Sequence, residues 1–249
     1  MKLTGLLAHH CPTGGTCPRI VDTDGDEVIV TGPVVTDADM LAELDMPAHE
    51  GAVRTPRSLI YGAKILDIAE LGEWLGQNHT SDLFRLEVRD AYAVDSDGDD
   101  YRRYLSGEGE PNAADKAPWL QQLRTDTDAG KIWRKVHLVR GRLSDYERYE
   151  IEWGFLYNAT AGEQCRILEV DETRAAQLAA LGDFFVLDGE HVLRNLYDDD
   201  DRFLGGQVIY GGEAAALRAV IDWVWDAAEP VSDWWDRHPE YHRANRAVA

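Results

Sequence analysis

KIWRKVHLVRGRLSDYERYEIEWGFLYNATAGEQCRILEV, residues 131–170, holds three elements in succession. KIWRKVHLV reads as a strand, rich in β-branched and aromatic side chains. Ser144 and Glu147 then have capping-box spacing, Tyr146, Tyr149, Trp153 and Leu156 recur at helical intervals, and Gly162 suits the position just past a helix end. A second strand, CRILEV, follows directly. Strand, helix and strand in close order place the chain among α/β or α+β folds.

The same alternation extends in both directions. Upstream, LFRLEV reads as a half-buried strand with Phe84, Leu86 and Val88 on one face and Arg85, Glu87 and Arg89 on the other. AKILDIAELGEWL reads as a helix, and PWLQQLRTDTDAG as another with Pro118 near its start and Gly130 closing it. Downstream come FFVLDGEHVLRNLY, a hairpin around Asp188-Gly189, a strand GGQVIY, and a last helix from Gly212 to Trp225. No repeat with a period of about 20–50 residues is visible. Residues 61–249 are therefore expected to form an α/β domain, a mixed central sheet with flanking helices and an aromatic-rich C-terminal helix.

Residues 1–60 differ in texture and are expected to form a small β-rich N-terminal unit. It comprises a Cys/Gly loop, a hairpin RIVDTDGDEVIVTGPVV turning at Asp24-Gly25, and a short helix from Thr36, with Pro56 at its edge. Such a unit buries little surface alone, so it is expected to pack on the rest of the chain or on a partner.

At 249 residues, 44% hydrophobic and with eight tryptophans, the chain suits one large or two modest domains. A net charge of −21, from 46 acidic and 25 basic residues, opposes general attraction to nucleic acid or anionic lipid. No run approaches the roughly 18 apolar residues of a membrane span, and LTGLLA is too short for a secretory core. Three cysteines give no disulfide framework. The expectation is a cytoplasmic protein with no membrane association and no cofactor.

Within this acidic chain Lys131, Arg134, Lys135, Arg140, Arg142 and Arg148 fall close together, with His137 among them. Convergent Arg and Lys favour phosphate or carboxylate, so Arg134, Lys135, Arg140 and Arg148 are the candidate residues for an anionic ligand. The competing explanation is that they neutralise the protein's own carboxylates.

HHCPTGGTCP, residues 9–18, offers Cys11 and Cys17 with one or both of His9 and His10 as metal ligands. The spacing is wider than the Cys-x(2–4)-Cys of structural zinc sites and no second pair follows nearby, which favours a Gly/Pro turn. DTDGDE and DSDGDD lack the Gly and Glu positions of a calcium loop and read as acidic turns. No nucleophile elbow, P-loop, dinucleotide fingerprint or H-E-x-x-H occurs. If the chain is an enzyme, His137, Tyr146 and Glu163 are the candidate acids and bases. Trp223, Trp225, Trp234, Trp235 and Tyr241 near the C-terminus suggest core together with a homo-oligomer or partner interface.

The run from LFRLEVRDAYAVD through YLSGEGEP, the 131–170 stretch and DFFVLDGEHVLRNLYDDDDRFLGG resembles, over about residues 78–235, an actinobacterial domain of unknown function often encoded beside helix-turn-helix regulators. The first 60 residues look like a separate small protein common in that phylum, fused in front. The order helix, Gly162-Glu163, CRIL strand and hairpin also looks like the non-catalytic half of a phospholipase D-like domain. That superfamily needs H-x-K-x(4)-D, which is absent here, so the resemblance implies no phosphodiesterase. The reading is a non-catalytic regulatory or sensing module that binds a protein partner, such as a helix-turn-helix regulator, or an anionic small molecule. The alternative is a group-transfer enzyme acting on a phosphorylated or RNA-linked substrate, including one carried on tRNA.

Overall fold

A computed structural model of the chain describes residues 3–9, 19–23, 29–43, 51–54, 65–93, 98–198 and 201–245. Two compact units are distinguished, Met1–Ile65 with Gln207–Glu213, and Leu66–Gly206 with Ala214–Ala249.

In the first unit β1 (Leu3–His9), β2 (Arg19–Thr23) and β3 (Ile29–Thr31) form an antiparallel sheet. The expected hairpin strands pair as read, whereas their turn at Asp24-Gly25 lies outside the described residues. A short helix α1 (Ala38–Glu43) follows. An antiparallel bridge joins Val34 and Val53, with Val35 N–H donating to the Ala52 carbonyl.

The remaining elements, in chain order, are β4 (Ile65–Leu66), α2 (Ile68–Asn78), β5 (Asp82–Glu87), α3 (Gly98–Leu105), α4 (Ala113–Asp128) and β6 (Ile132–Val139). Next come α5 (Asp145–Tyr149), a π-helical turn (Glu150–Phe155), α6 (Leu156–Thr160), β7 (Gln164–Glu169) and α7 (Glu172–Ala179). The chain continues through β8 (Phe184–Leu187), β9 (His191–Tyr197), β10 (Phe203–Ile209), α8 (Gly211–Ala219), α9 (Ile221–Ala227), β11 (Glu229–Pro230) and α10 (Val231–Arg237). The central sheet has eight strands in the order β11-β7-β6-β5-β8-β9-β10-β4. β6 runs parallel to both β5 and β7, while β8 pairs antiparallel with β5 and with β9.

The sheet is therefore mixed, as the sequence predicts, and its middle is more deeply enclosed than an alternating strand implies. Leu83, Phe84, Leu86 and Glu87 of β5 are all buried, because β6 and β8 flank the strand and helices cover the sheet. Glu87 does not face solvent; at 1% exposure it belongs to the interior.

The helix between β6 and β7 begins as its capping box requires: Ser144 Oγ accepts from Glu147 N–H, and Glu147 Oε2 accepts from Ser144 N–H. It ends at Gly162, whose φ of 112° lies in the left-handed region. The π turn in its middle, unannounced by the hydrophobic spacing, still leaves Tyr146, Tyr149 and Trp153 buried. Hairpin β8–β9 turns through left-handed Asp188 and Gly189, with Glu190 N–H donating to the Leu187 carbonyl.

Other boundaries depart from the sequence reading. α2 starts after Asp67, which forms a capping box with Glu70, and Ile65–Leu66 is a strand. α4 starts after the Asn112 cap, so Pro118 lies inside it. The last helix, expected from Gly212 to Trp225, breaks at Val220 into α8 and α9, and a further helix, α10, follows Glu229–Pro230, which pairs with Ile167 and Arg166 at the edge of β7. Gly98–Asp100, read as part of an acidic turn, instead opens a helix that runs to Leu105.

The tail contributes core. Trp234 and Trp235 pack with Val139, Leu143, Ile151, Phe155, Cys165, Ile167 and Val231, and Tyr241 lies against them. Each large apolar side chain so enclosed contributes about 1.5–3 kcal/mol. Trp223 by contrast is exposed, with Arg174 over its ring. Among the described residues no helix is long and apolar enough to cross a membrane.

Candidate functional site

Alternate residues of a strand share a face, so Arg85 and Glu87 of β5 stand beside Lys135 and His137 of β6. The pairing register makes this explicit: Arg85 is opposite Lys135, and Glu87 opposite His137. Across from them, α5 and the first residue of the π turn bring Glu147 and Glu150, three residues apart on one helical face. Four charged side chains from two adjacent strands and two from the covering helix thus meet in the interior.

Glu87 Oε1 lies 2.9 Å from Arg85 Nη2 and 3.3 Å from Lys135 Nζ, while Glu87 Oε2 lies 3.4 Å from His137 Nδ1. His137 Nε2 faces Glu147 Oε1 at 3.7 Å. His137 is fully buried, and neither of its ring nitrogens makes a hydrogen bond. Burial alone would push its pKa down, but the carboxylates of Glu147 and Glu87 raise it to about 10. Burial would likewise raise the Glu87 carboxyl, yet Arg85, Lys135 and His137 hold it well below the ordinary range. Lys135 stays charged although enclosed, because Glu163 and Glu87 outweigh its desolvation; its ammonium lies over the Phe155 ring.

The four candidate anion-binding residues do not converge. Arg134, near the start of β6, donates from Nε to Asp82 Oδ1 at 2.8 Å and also pairs with Asp82 Oδ2, with its guanidinium over the rings of Phe84 and Trp225. Lys135 is inside. Arg140, beyond the other end of β6, pairs with Asp90. Arg148 pairs with Asp145, donates to the Leu143 carbonyl and lies over Tyr241. Each has a carboxylate of this chain beside it, the arrangement that the neutralisation argument describes.

The three candidate acid–base residues have separate surroundings. His137 faces Glu87 and Glu147. Tyr146 is buried among Tyr92, Tyr101 and Tyr149. Glu163 accepts from Asn158 Nδ2 at 2.7 Å and from Cys165 Sγ at 3.3 Å, and not from Arg134 or Arg166. Burial and the nearby Glu163 carboxylate push the Cys165 thiol well up, leaving it a neutral core residue. His10, Cys11 and Cys17 lie outside the described residues.

Glu87, Glu147 and Glu150 were not legible as site residues. The signal was nevertheless present: Arg85-x-Glu87 and Lys135-x-His137 place alternating charges in two otherwise apolar strands, which is incompatible with deep burial unless the charges meet.

A different feature faces outward at the start of β6. Trp119 of α4 is 40% exposed and meets Trp133 edge-on, and the adjoining Ile132 is 42% exposed. His79 packs edge-on against Trp133, whose Nε1 donates to Asp126. Trp133 thus joins His79 at the end of α2 and Trp119 of α4 in one aromatic corner, while Ile132, its neighbour in β6, belongs to the other face of the sheet.

No curated protein matches the chain. Residues 69–236, spanning the sheet's parallel strands, the covering helix and the Trp119 corner, match a domain of unknown function (DUF6879), and the chain belongs to that family.

Proposed function

We propose that the chain is a non-catalytic regulatory module that binds a protein partner through the corner formed by Trp119 and Trp133. The observation that carries this reading is the exposure of Trp119 beside a fixed indole, in a chain whose neighbouring cations Lys131 and Arg134 are already paired. Exposed aromatic side chains held by rigid neighbours lose little entropy on association and are enriched in interface centres. Actinobacterial domains that this sequence resembles often lie beside genes for helix-turn-helix regulators, which makes such a regulator the first partner to try.

The test is co-expression of the full chain with a candidate helix-turn-helix regulator from the same genome, followed by size-exclusion chromatography. A complex is expected with wild type and with Arg134→Ala plus Arg140→Ala, and its loss with Trp119→Ser. Loss on the arginine changes instead, with the aromatic change tolerated, would transfer the assignment to an anionic ligand. The group-transfer alternative has less support, since His137, Tyr146 and Glu163 have different neighbours.

A further inference from the structure

The buried charges around Glu87 and His137 are independent of the partner-binding surface. Glu87, His137 and Glu150 each offer one ligand atom, and these atoms lie within 4.8 Å of one another. Ions bonded to nitrogen and oxygen at about 2.0–2.2 Å keep their ligand atoms within about 4.4 Å, so closure by a few tenths of an ångström suffices. Glu87 Oε1 is occupied by Arg85 and Lys135, whereas Glu87 Oε2 makes no hydrogen bond and faces the His137 ring. The imidazole is enclosed without a hydrogen bond at either nitrogen.

We infer that Glu87, His137 and Glu150 bind one divalent first-row transition-metal ion, with Glu147 as the outer carboxylate that orients the imidazole. Glu147 faces His137 Nε2 at 3.7 Å, the place where metal-bound histidines have an acceptor on the nitrogen remote from the ion. The imidazole selects manganese or zinc over magnesium or calcium, which prefer all-oxygen shells. Glu150 also opens the π turn, a helical irregularity that recurs at functional sites.

The experiment titrates the chelator-treated full chain with Mn²⁺ and Zn²⁺, reading stoichiometry by calorimetry and the manganese environment by pulsed electron paramagnetic resonance. One equivalent is expected, with ¹⁴N coupling from a single imidazole. Glu150→Gln, isosteric and half-buried, should weaken binding at least 10-fold, and Glu147→Gln about 10–100-fold. His10→Gln with Cys11→Ser should leave the site intact. Absence of a stoichiometric ion, or of the nitrogen coupling, would overturn the inference even if the glutamate variants fail to fold. Equal affinity in wild type and Glu150→Gln would do the same, because the ion would then sit on other carboxylates. Neither result bears on the Trp119 surface.

Discussion

Gly162 lies so close to Thr127 that a Cβ at position 162 would stand 2.9 Å from Thr127 Cβ and overlap its Oγ1. The end of the β6–β7 connection is thus pressed onto α4 with no room for a methyl group. Gly162→Ala adds that clash to the cost of a left-handed φ and should lower unfolding free energy by more than about 2 kcal/mol. Urea denaturation measures it. Thr127→Gly in the same chain should recover the clash component and leave the backbone component.

Asp188 fastens the β8–β9 turn to the entry of β5. Its carboxylate accepts from the backbone N–H of Thr80, Ser81 and Asp82 and from both hydroxyls. Burial opposes ionisation, but these donors, Thr80 Oγ1 foremost, hold the carboxyl well below its usual range. A depressed folded pKa stabilises the protein above the unfolded value of about 3.9, and the contribution is lost as pH falls below it toward the folded value. Asp188→Asn keeps a residue tolerant of positive φ and should cost about 1–3 kcal/mol at neutral pH. Urea midpoints from pH 7 to pH 2 should show a shallower acid dependence in the variant; identical slopes would refute this assignment.

Glu87→Gln removes one buried anion while Arg85 and Lys135 stay in place. Leaving buried charges uncompensated costs about 3–5 kcal/mol, far above a surface change. Differential scanning calorimetry of the metal-free proteins should show a correspondingly large drop in melting temperature.

Arg134 and Arg140 look alike in the sequence and should behave differently. Arg134 makes a two-point contact with Asp82 and is stacked between Phe84 and Trp225, whereas Arg140 and its partner Asp90 are each 40% exposed. Arg140→Ala should change stability by less than about 1 kcal/mol, and Arg134→Ala by about 2 kcal/mol. Chemical denaturation of the two variants side by side decides whether the distinction holds.

Ser144 supplies the start of the covering helix and also donates to the Asp90 carbonyl. Ser144→Ala should therefore exceed an ordinary cap loss, reaching about 1–2 kcal/mol, and hydrogen exchange should rise first over residues 145–149.

Local signals in the sequence were strong where chemistry is local. Ser144 with Glu147, Gly162, and Asp188 with Gly189 announce the elements they terminate because caps and tight turns depend on few neighbours. The mixed sheet followed from the alternation of those elements. Burial on both faces of β5 did not, because it depends on β6 and β8, which arrive from distant sequence. For the same reason Glu87 read as a solvent-facing residue, and the cations from Arg134 to Arg148 read as one cluster although β6 carries them apart. The break of the last helix at Val220 was hidden too, since no Gly or Pro marks it in the sequence.

The π turn from Glu150 to Phe155 gives the covering helix two rotational phases. A helix turns about 100° per residue, and a π turn acts as one inserted residue. Tyr146 and Glu147 follow the first phase, and Asn158 and Gly162, which serve Glu163 and Thr127, follow the second. Shortening the turn by a single residue, Gly154 for example, would restore a uniform spiral and leave one end of the helix facing the wrong neighbours. The length of this segment is therefore constrained in its own right: a deletion that spares the buried Ile151, Trp153 and Phe155 would still misdirect one end of the helix.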